Sequence, residues 1–170
     1  MTRARLVLLL GASVALVFGA APAQKCPTSE SSMHAGCQVT ILFKESCDAV
    51  RAEIGKRAGG QFDTWHDPHN NGSYTFIGKS NDLFQLSRLT GDGKYTDKIN
   101  FVFAEEESNT CEVAACSESQ SFSIGDYGTN FCNIHDLYCS DEGCHPFARL
   151  TYTETVGKCT ESSPSKCLTV

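Results

Sequence analysis

The stretch CQVTILFKESCDAVRAEIGKRAGG, residues 37–60, decides the fold, because its two halves carry two different periods. In the first half, Val39, Ile41 and Phe43 alternate with other residues, which predicts a half-buried strand. In the second half, apolar residues recur at helical spacing behind Ser46, a good N-cap, and two glycines end the run. A strand that leads directly into a helix is therefore the first expected unit.

The chain beyond this unit has the pattern of β-structure. Aromatic, β-branched or alternating residues predict three further strands before residue 105 and one late strand. Between the second and third of them lies TGDGK, whose Asp-Gly pair is typical of a tight turn, so these two strands are expected to form a hairpin. The predicted strands are Tyr74–Ile77, Asp82–Leu89, Lys98–Ala104 and Phe147–Thr155.

The order of these elements predicts an α+β fold, with one helix packed on an antiparallel sheet. Short connections favour antiparallel neighbours, and a single helix has to bury its apolar face against the sheet. This element order is similar to that of the cystatins. The chain lacks the Q-x-V-x-G motif of cystatin inhibitors, so protease inhibition by that mode is not expected.

The cysteines predict a cross-linked protein. The chain has 10 of them, an even number, which favours five disulfides in an oxidising compartment and leaves their connectivity open. None lies between residues 48 and 110, so a packed core is expected to hold the middle, while disulfides staple a loop-rich C-terminal third. The ten are Cys26, Cys37, Cys47, Cys111, Cys116, Cys132, Cys139, Cys144, Cys159 and Cys167.

The N-terminus has the pattern of a secretory signal peptide over residues 1–23. Arg3 and Arg5 precede an apolar stretch, and Ala21-Pro22-Ala23 matches a small-x-small cleavage site. A retained membrane anchor is the alternative. Cleavage predicts a single secreted domain over residues 24–170, with no further segment as long as a membrane span.

The charge of the chain narrows the choice of partners. Loss of Arg3 and Arg5 with the leader changes the net charge from −6 to −8. Nucleic acid is not expected as a partner, because phosphate binding needs clustered Lys and Arg. The expected partner is an extracellular protein, a glycan or a small ligand, and no cofactor is expected.

The segment TWHDPHNNGSYTF, residues 64–76, concentrates the residue types that make sites. We interpret it as an exposed turn, because Asp-Pro and Asn-Gly are turn-forming pairs. Asn71 begins an N-glycosylation sequon, which also requires an exposed loop. Trp65 and Tyr74 are expected to pack beneath the turn.

Two functional alternatives remain open for the same turn. The first is a ligand-binding loop, for which the candidate residues are Trp65, His66, Asp67 and His69. The second is a zinc or copper site at His66, Asp67 and His69, since two imidazoles and a carboxylate are suitable ligands.

A second candidate is the run CNIHDLYC, residues 132–139, which resembles the C-C-x-x-H-D-x-C helix of secreted phospholipases A2. The resemblance implies that His135 polarises a water molecule and that Asp136 helps to bind calcium. The chain departs from that pattern in three ways: it lacks the paired first cysteine, it has one extra residue before Cys139, and it has no glycine-rich calcium loop. The alternative is a short turn of helix clamped by disulfides.

The run CEVAACSESQSFSIGDYGTNFCNIHDLYCSDEGC, with WHDPHNNGSYT and LTGDGKY upstream, is similar to small secreted cysteine-rich proteins of plants and algae. The resemblance implies secretion and disulfides, and it implies no particular activity.

These patterns together favour a secreted, non-catalytic binding or interaction module. A small hydrolase that uses His135 and Asp136, and a metal-binding protein that uses the histidines of the turn, are the alternatives.

Overall fold

A computed structural model describes residues 22–60, 63–106 and 109–168. The described residues form a six-stranded antiparallel sheet in the order β2-β3-β4-β5-β1-β6 and two α-helices, which confirms the α+β class. The predicted leader lies outside these ranges except for residues 22 and 23. The elements are β1 Gly36–Phe43, α1 Cys47–Gly60, β2 Ser73–Lys79, β3 Leu83–Leu89, β4 Thr96–Glu105, β5 Cys111–Ser119, α2 Thr129–His135 and β6 Tyr152–Cys159.

The predicted strand and helix at residues 37–60 are both present. In β1, Val39, Ile41 and Phe43 are buried and lie in the core that also contains the apolar residues of α1. The Ser46 hydroxyl accepts a hydrogen bond from the Ala49 amide at 3.4 Å, so it caps the helix as predicted. The core includes residues of α2 as well. The fold therefore has a second helix beside the one that the predicted α+β arrangement contains, and Cys132 ties it to Cys167.

The opposite face of the sheet is partly covered by the chain that precedes β1. The Lys25 carbonyl accepts a hydrogen bond from Asn100 Nδ2 at 2.7 Å, and Cys26 is bonded to Cys116 of β5. Ala114, which points away from the helices, is buried in consequence. Because β5 is buried on both faces, its sequence does not alternate, and the pattern analysis missed this strand.

The last strand begins later than the sequence predicts. The expected strand Phe147–Thr155 is replaced by β6, which starts at Tyr152 and pairs with β1. The amides of Phe147 and Ala148 donate instead to the Glu53 carboxylate of α1, at 2.9 and 2.8 Å. Residues 147–148 are therefore held against the helix rather than in the sheet.

All ten cysteines are paired, which confirms the prediction of five disulfides. Such a framework is typical of proteins that fold in an oxidising compartment. No helix in the described ranges is long and apolar enough to cross a membrane. The pairs are Cys26–Cys116, Cys37–Cys159, Cys47–Cys111, Cys132–Cys167 and Cys139–Cys144.

The bridges should differ in their contribution to stability according to the loops that they close. Cys47–Cys111 spans 64 residues, whereas Cys139–Cys144 spans 5. Replacing both partners by alanine should lower the free energy of unfolding by about 4 kcal/mol for the first pair and about 2 kcal/mol for the second. Urea titration of the two double variants checks this order. A larger loss for Cys139–Cys144 would contradict it.

Candidate functional site

The turn at residues 64–76 is anchored by Asp67, which is fully buried. Its carboxylate accepts hydrogen bonds from Arg88 Nε and Nη2 of β3, at 2.8 and 2.6 Å. The backbone amides of His69 and Gly72 donate to the same carboxylate at 2.8 and 3.2 Å. Asp67 therefore fixes the shape of the turn and compensates the buried guanidinium of Arg88.

The histidines of this turn do not converge with Asp67 on one point. His69 is buried, with Nδ1 2.9 Å from the Lys166 carbonyl and Nε2 3.1 Å from Thr129 Oγ1, while His66 is exposed. Among the residues that the structure describes, the set of three potential metal ligands within 4.8 Å of one another is Cys26, Cys116 and Glu118, and its two cysteines share a disulfide. The metal site at His66, Asp67 and His69 stays a prediction, which equilibrium dialysis with zinc and copper would test.

Trp65 and Asn71, which also belong to the turn, occupy opposite environments. Trp65 is buried, donates from Nε1 to the Cys144 carbonyl at 3.1 Å and packs against Tyr74 with ring centroids 6.2 Å apart. The prediction that Trp65 and Tyr74 pack beneath the turn is confirmed. Asn71 is exposed and has a φ of 55°, and its glycosylation stays a prediction.

The side chains of His135 and Asp136, at the end of α2, are both buried and have different neighbours. His135 stacks on Phe131, with centroids 5.2 Å apart, and its Nδ1 lies 3.3 Å from Glu154 Oε2. Partial burial raises the pKa of Glu154, but hydrogen bonds from His135 and from the Tyr138 hydroxyl outweigh this and hold it below its ordinary value.

Asp136 lies on the side of Asp67 and Arg88. Burial, followed by the charge of Asp67, raises its pKa well above the ordinary value for an aspartate. The protonated, neutral form of the Asp136 side chain is therefore favoured inside the protein. The hydrolase hypothesis, in which His135 and Asp136 act on substrate and calcium, stays a prediction.

A pocket of about 680 Å³ lies on another part of the molecule, and this volume is within the range of about 300–1,000 Å³ that small-molecule sites occupy. It is formed by the turn between β3 and β4 and by residues 120–128, the rim segment, which join β5 to α2. The exposed fractions of its apolar side chains are large: 55% for Tyr95, 66% for Phe122, 76% for Ile124 and 84% for Tyr127. The pocket thus has an apolar, water-exposed rim.

The floor of the pocket belongs to a network of buried polar side chains. Asn133 Nδ2 of α2 donates to Asp97 Oδ2 of β4 at 2.8 Å and to Ser117 Oγ of β5 at 3.1 Å. Ser117 Oγ donates to Asn130 Oδ1 at 2.6 Å, and Asn130 Nδ2 donates to Asp126 Oδ2 at 2.8 Å. The network connects Asp97 and Asp126, the two buried carboxyl groups that line the pocket.

The rim segment is also fixed by backbone hydrogen bonds. The Gln120 amide donates to the Thr96 carbonyl at 3.0 Å, and the Ser123 amide donates to the Met33 carbonyl at 3.2 Å. Ser123 Oγ accepts from the Ala35 amide at 2.8 Å. The rim segment is therefore tied both to the sheet and to the chain that precedes β1, although the side chains of Phe122, Ile124 and Tyr127 are exposed.

Tyr127 departs from ordinary backbone geometry. It has a φ of 55°, in the left-handed region, which costs a bulky residue about 1–2 kcal/mol relative to the right-handed form. The strained residue is also the most exposed large apolar side chain that the structure describes. Strain of this kind is concentrated at functional sites, so it marks the rim as a candidate.

The sequence analysis did not identify this pocket. One signal was available: Asp97 continues the inward alternation of Ile99 and Phe101, but the predicted strand began one residue later. A second was the run FSIGDY, residues 122–127, where Phe122 and Ile124 alternate only once before Gly125 and Asp126, which is too short to predict a buried strand.

No protein-family model matches the chain, and comparison with curated proteins and with solved structures gives no significant match.

The raised pKa of Asp136 predicts a pH dependence of stability. The pKa of Asp136 is higher in the folded than in the unfolded chain. As the pH rises above about 4, the unfolded chain therefore loses the Asp136 proton first. The free energy of unfolding then falls by about 1.4 kcal/mol per pH unit. Asp136→Asn keeps a neutral group and removes this loss. Its stability relative to the unchanged protein should increase between pH 4.5 and 7.5 in urea titrations.

The control for this experiment is Asp141→Asn, which neutralises an exposed carboxyl group. Its stability relative to the unchanged protein should vary little over the same pH interval. Parallel pH profiles for Asp136→Asn and the unchanged protein would show that Asp136 is not protonated in the folded state.

Proposed function

We propose that this protein is a secreted, non-catalytic binding module and that its ligand occupies the pocket beneath the rim segment. One observation carries the proposal. The three most exposed large apolar side chains of the described ranges are Tyr127, Ile124 and Phe122, and all three line this one pocket. Isolated exposed apolar residues are ordinary, whereas a group of them around a concavity is typical of a binding site.

The fixed backbone of the rim supports the same proposal. Ligand sites are usually preformed, because ordering a loop at the moment of binding costs conformational entropy. Here hydrogen bonds of Gln120 and Ser123 fix the rim, and the side chain of Asn130 joins it to the sheet. The backbone of the rim segment is therefore already ordered before a ligand binds, while its apolar side chains stay in water.

The cross-linked scaffold supports a role outside the cell. Five disulfides require an oxidising environment, which agrees with export by the proposed leader at residues 1–23. The proposed glycan at Asn71 would lie beside the pocket, since the neighbouring Asn70 lines it. Ser73→Ala removes the sequon and permits binding experiments without a glycan.

Fragment screening by NMR tests the proposal and does not require an identified ligand. A library with neutral, cationic and anionic fragments, added to ¹⁵N-labelled protein, should shift the amide resonances of the rim segment and of the turn between β3 and β4. Phe122→Ser should weaken the best fragment at least about fivefold, because one apolar contact of this size contributes about 1 kcal/mol or more.

The matched control is Ile77→Ser, which removes an apolar side chain of similar exposure, 58%, from β2, outside the pocket. It should leave the affinity of the fragment unchanged. Fragments that bind only elsewhere, or equal losses in the two variants, would refute the proposed site.

A further inference from the structure

We propose that the pocket takes a small organic cation, an ammonium group carried on an apolar body. This inference rests on the proposed binding function and specifies the chemistry of its ligand. It comes from two separate properties of the pocket, the balance of charge at its floor and the character of its rim.

The described residues that line the pocket include carboxyl groups. Three of them are acidic, Asp92, Asp97 and Asp126, and none of the described lining residues is Lys, Arg or His. Asp92 is compensated outside the pocket by Lys94, at 2.9 Å. The lining would therefore repel an anionic ligand. Lys94 does not compensate the other two acidic residues, Asp97 and Asp126.

Asp97 and Asp126 are buried without a cationic neighbour at ion-pair distance among the described residues. They are 3% and 9% exposed, and their hydrogen bonds come from neutral amides of Asn133, Asn130 and Gly128. A carboxylate removed from water and held only by neutral donors gains from an added cation more than an exposed one does.

Arg88 is a buried cation opposite one acid of this floor, Asp97. It is paired with Asp97 in the register of β3 and β4, and its charge and that of Asp97 interact favourably. Its Nε and Nη2 atoms, however, are directed to Asp67, at 2.8 and 2.6 Å. One guanidinium therefore faces more than one carboxylate, and the floor keeps an excess of negative charge.

The rim supplies what an organic cation needs besides charge. Tyr95, Phe122 and Tyr127 present aromatic rings, and Ile124 adds an aliphatic surface. Aromatic faces attract ammonium groups, by about 0.5–2 kcal/mol for each contact, and they also cover an apolar body. A neutral sugar would use the rings but would leave the carboxylates uncompensated.

Calorimetric titration with ligands of matched shape tests the inference on the unchanged protein. Phenethylamine should bind at least about tenfold more tightly than phenethyl alcohol, and phenylacetate should not bind detectably. Nα-acetyl-lysine N-methylamide presents its ammonium group as a lysine side chain in a peptide does. It should bind more weakly than phenethylamine. A methyl glucoside should bind no more tightly than phenethyl alcohol.

Asp97→Asn removes one charge while its amide oxygen can still accept from Asn133. It should reduce the advantage of the amine over the alcohol about tenfold, and Asp63→Asn, an exposed carboxyl group outside the pocket, should leave it unchanged. If Asp97→Asn does not fold, Tyr127→Ala should still weaken the amine more than the alcohol, because the alcohol carries no charge for the ring to attract.

The outcomes separate the two proposals. Two outcomes would refute the cationic ligand and leave the binding function intact. The first is equal affinity for the amine and the alcohol, and the second is binding of other fragments in the pocket while phenethylamine does not bind. Tighter binding of the lysine derivative would overturn the small-molecule ligand in favour of a peptide. An absence of all binding at the pocket would overturn both.

Discussion

The buried guanidinium of Arg88 is the constraint on which this part of the structure depends. A cation without access to water is stable only when buried acceptors or opposite charges compensate it. Asp67 supplies two hydrogen bonds and the side chain of Asn70 a third, at 2.8 Å. Both residues belong to the turn at residues 64–76, so the need to compensate Arg88 determines the shape of that turn.

The same cluster explains how α2 is positioned. Asp136 lies within the field of Asp67, which together with burial raises the pKa of Asp136 and so favours its uncharged form. On the other side, Arg57 Nη1 of α1 donates to the Asp136 carbonyl at 2.8 Å. With α2 held in this way, Asn130 and Asn133 meet the ends of β4 and β5, where their amides connect the two acids of the pocket floor. The pocket is thus a consequence of buried charge that lies behind it.

The sequence predicts those parts of the fold in which one local signal dominates. The strand and helix at residues 37–60 have clear periods, and the helix has a capping residue at Ser46. Strand β5 has no period because the chain around Cys26 covers its second face, a tertiary effect that no local pattern contains. Likewise, the pairing of ten cysteines depends on the register of distant strands.

The candidate site was harder to predict than the fold, for a related physical reason. The conspicuous residues Trp65, Asp67 and His69 are buried and make structural contacts. The unusual composition of residues 64–76 therefore belongs to a turn with a structural role. The rim segment, by contrast, carries Phe122, Ile124 and Tyr127, which are ordinary apolar residues in the sequence and which the fold leaves in water. Exposure is a property of the three-dimensional structure, and it becomes visible only when the sheet and α2 are in place.

The central claim is that the rim is a preformed binding surface, and ¹⁵N relaxation of the protein without ligand tests it most directly. The account predicts backbone order parameters of about 0.85 for residues 120–128, equal to those of the sheet. Values below about 0.6 would describe a flexible loop and would contradict a preformed pocket.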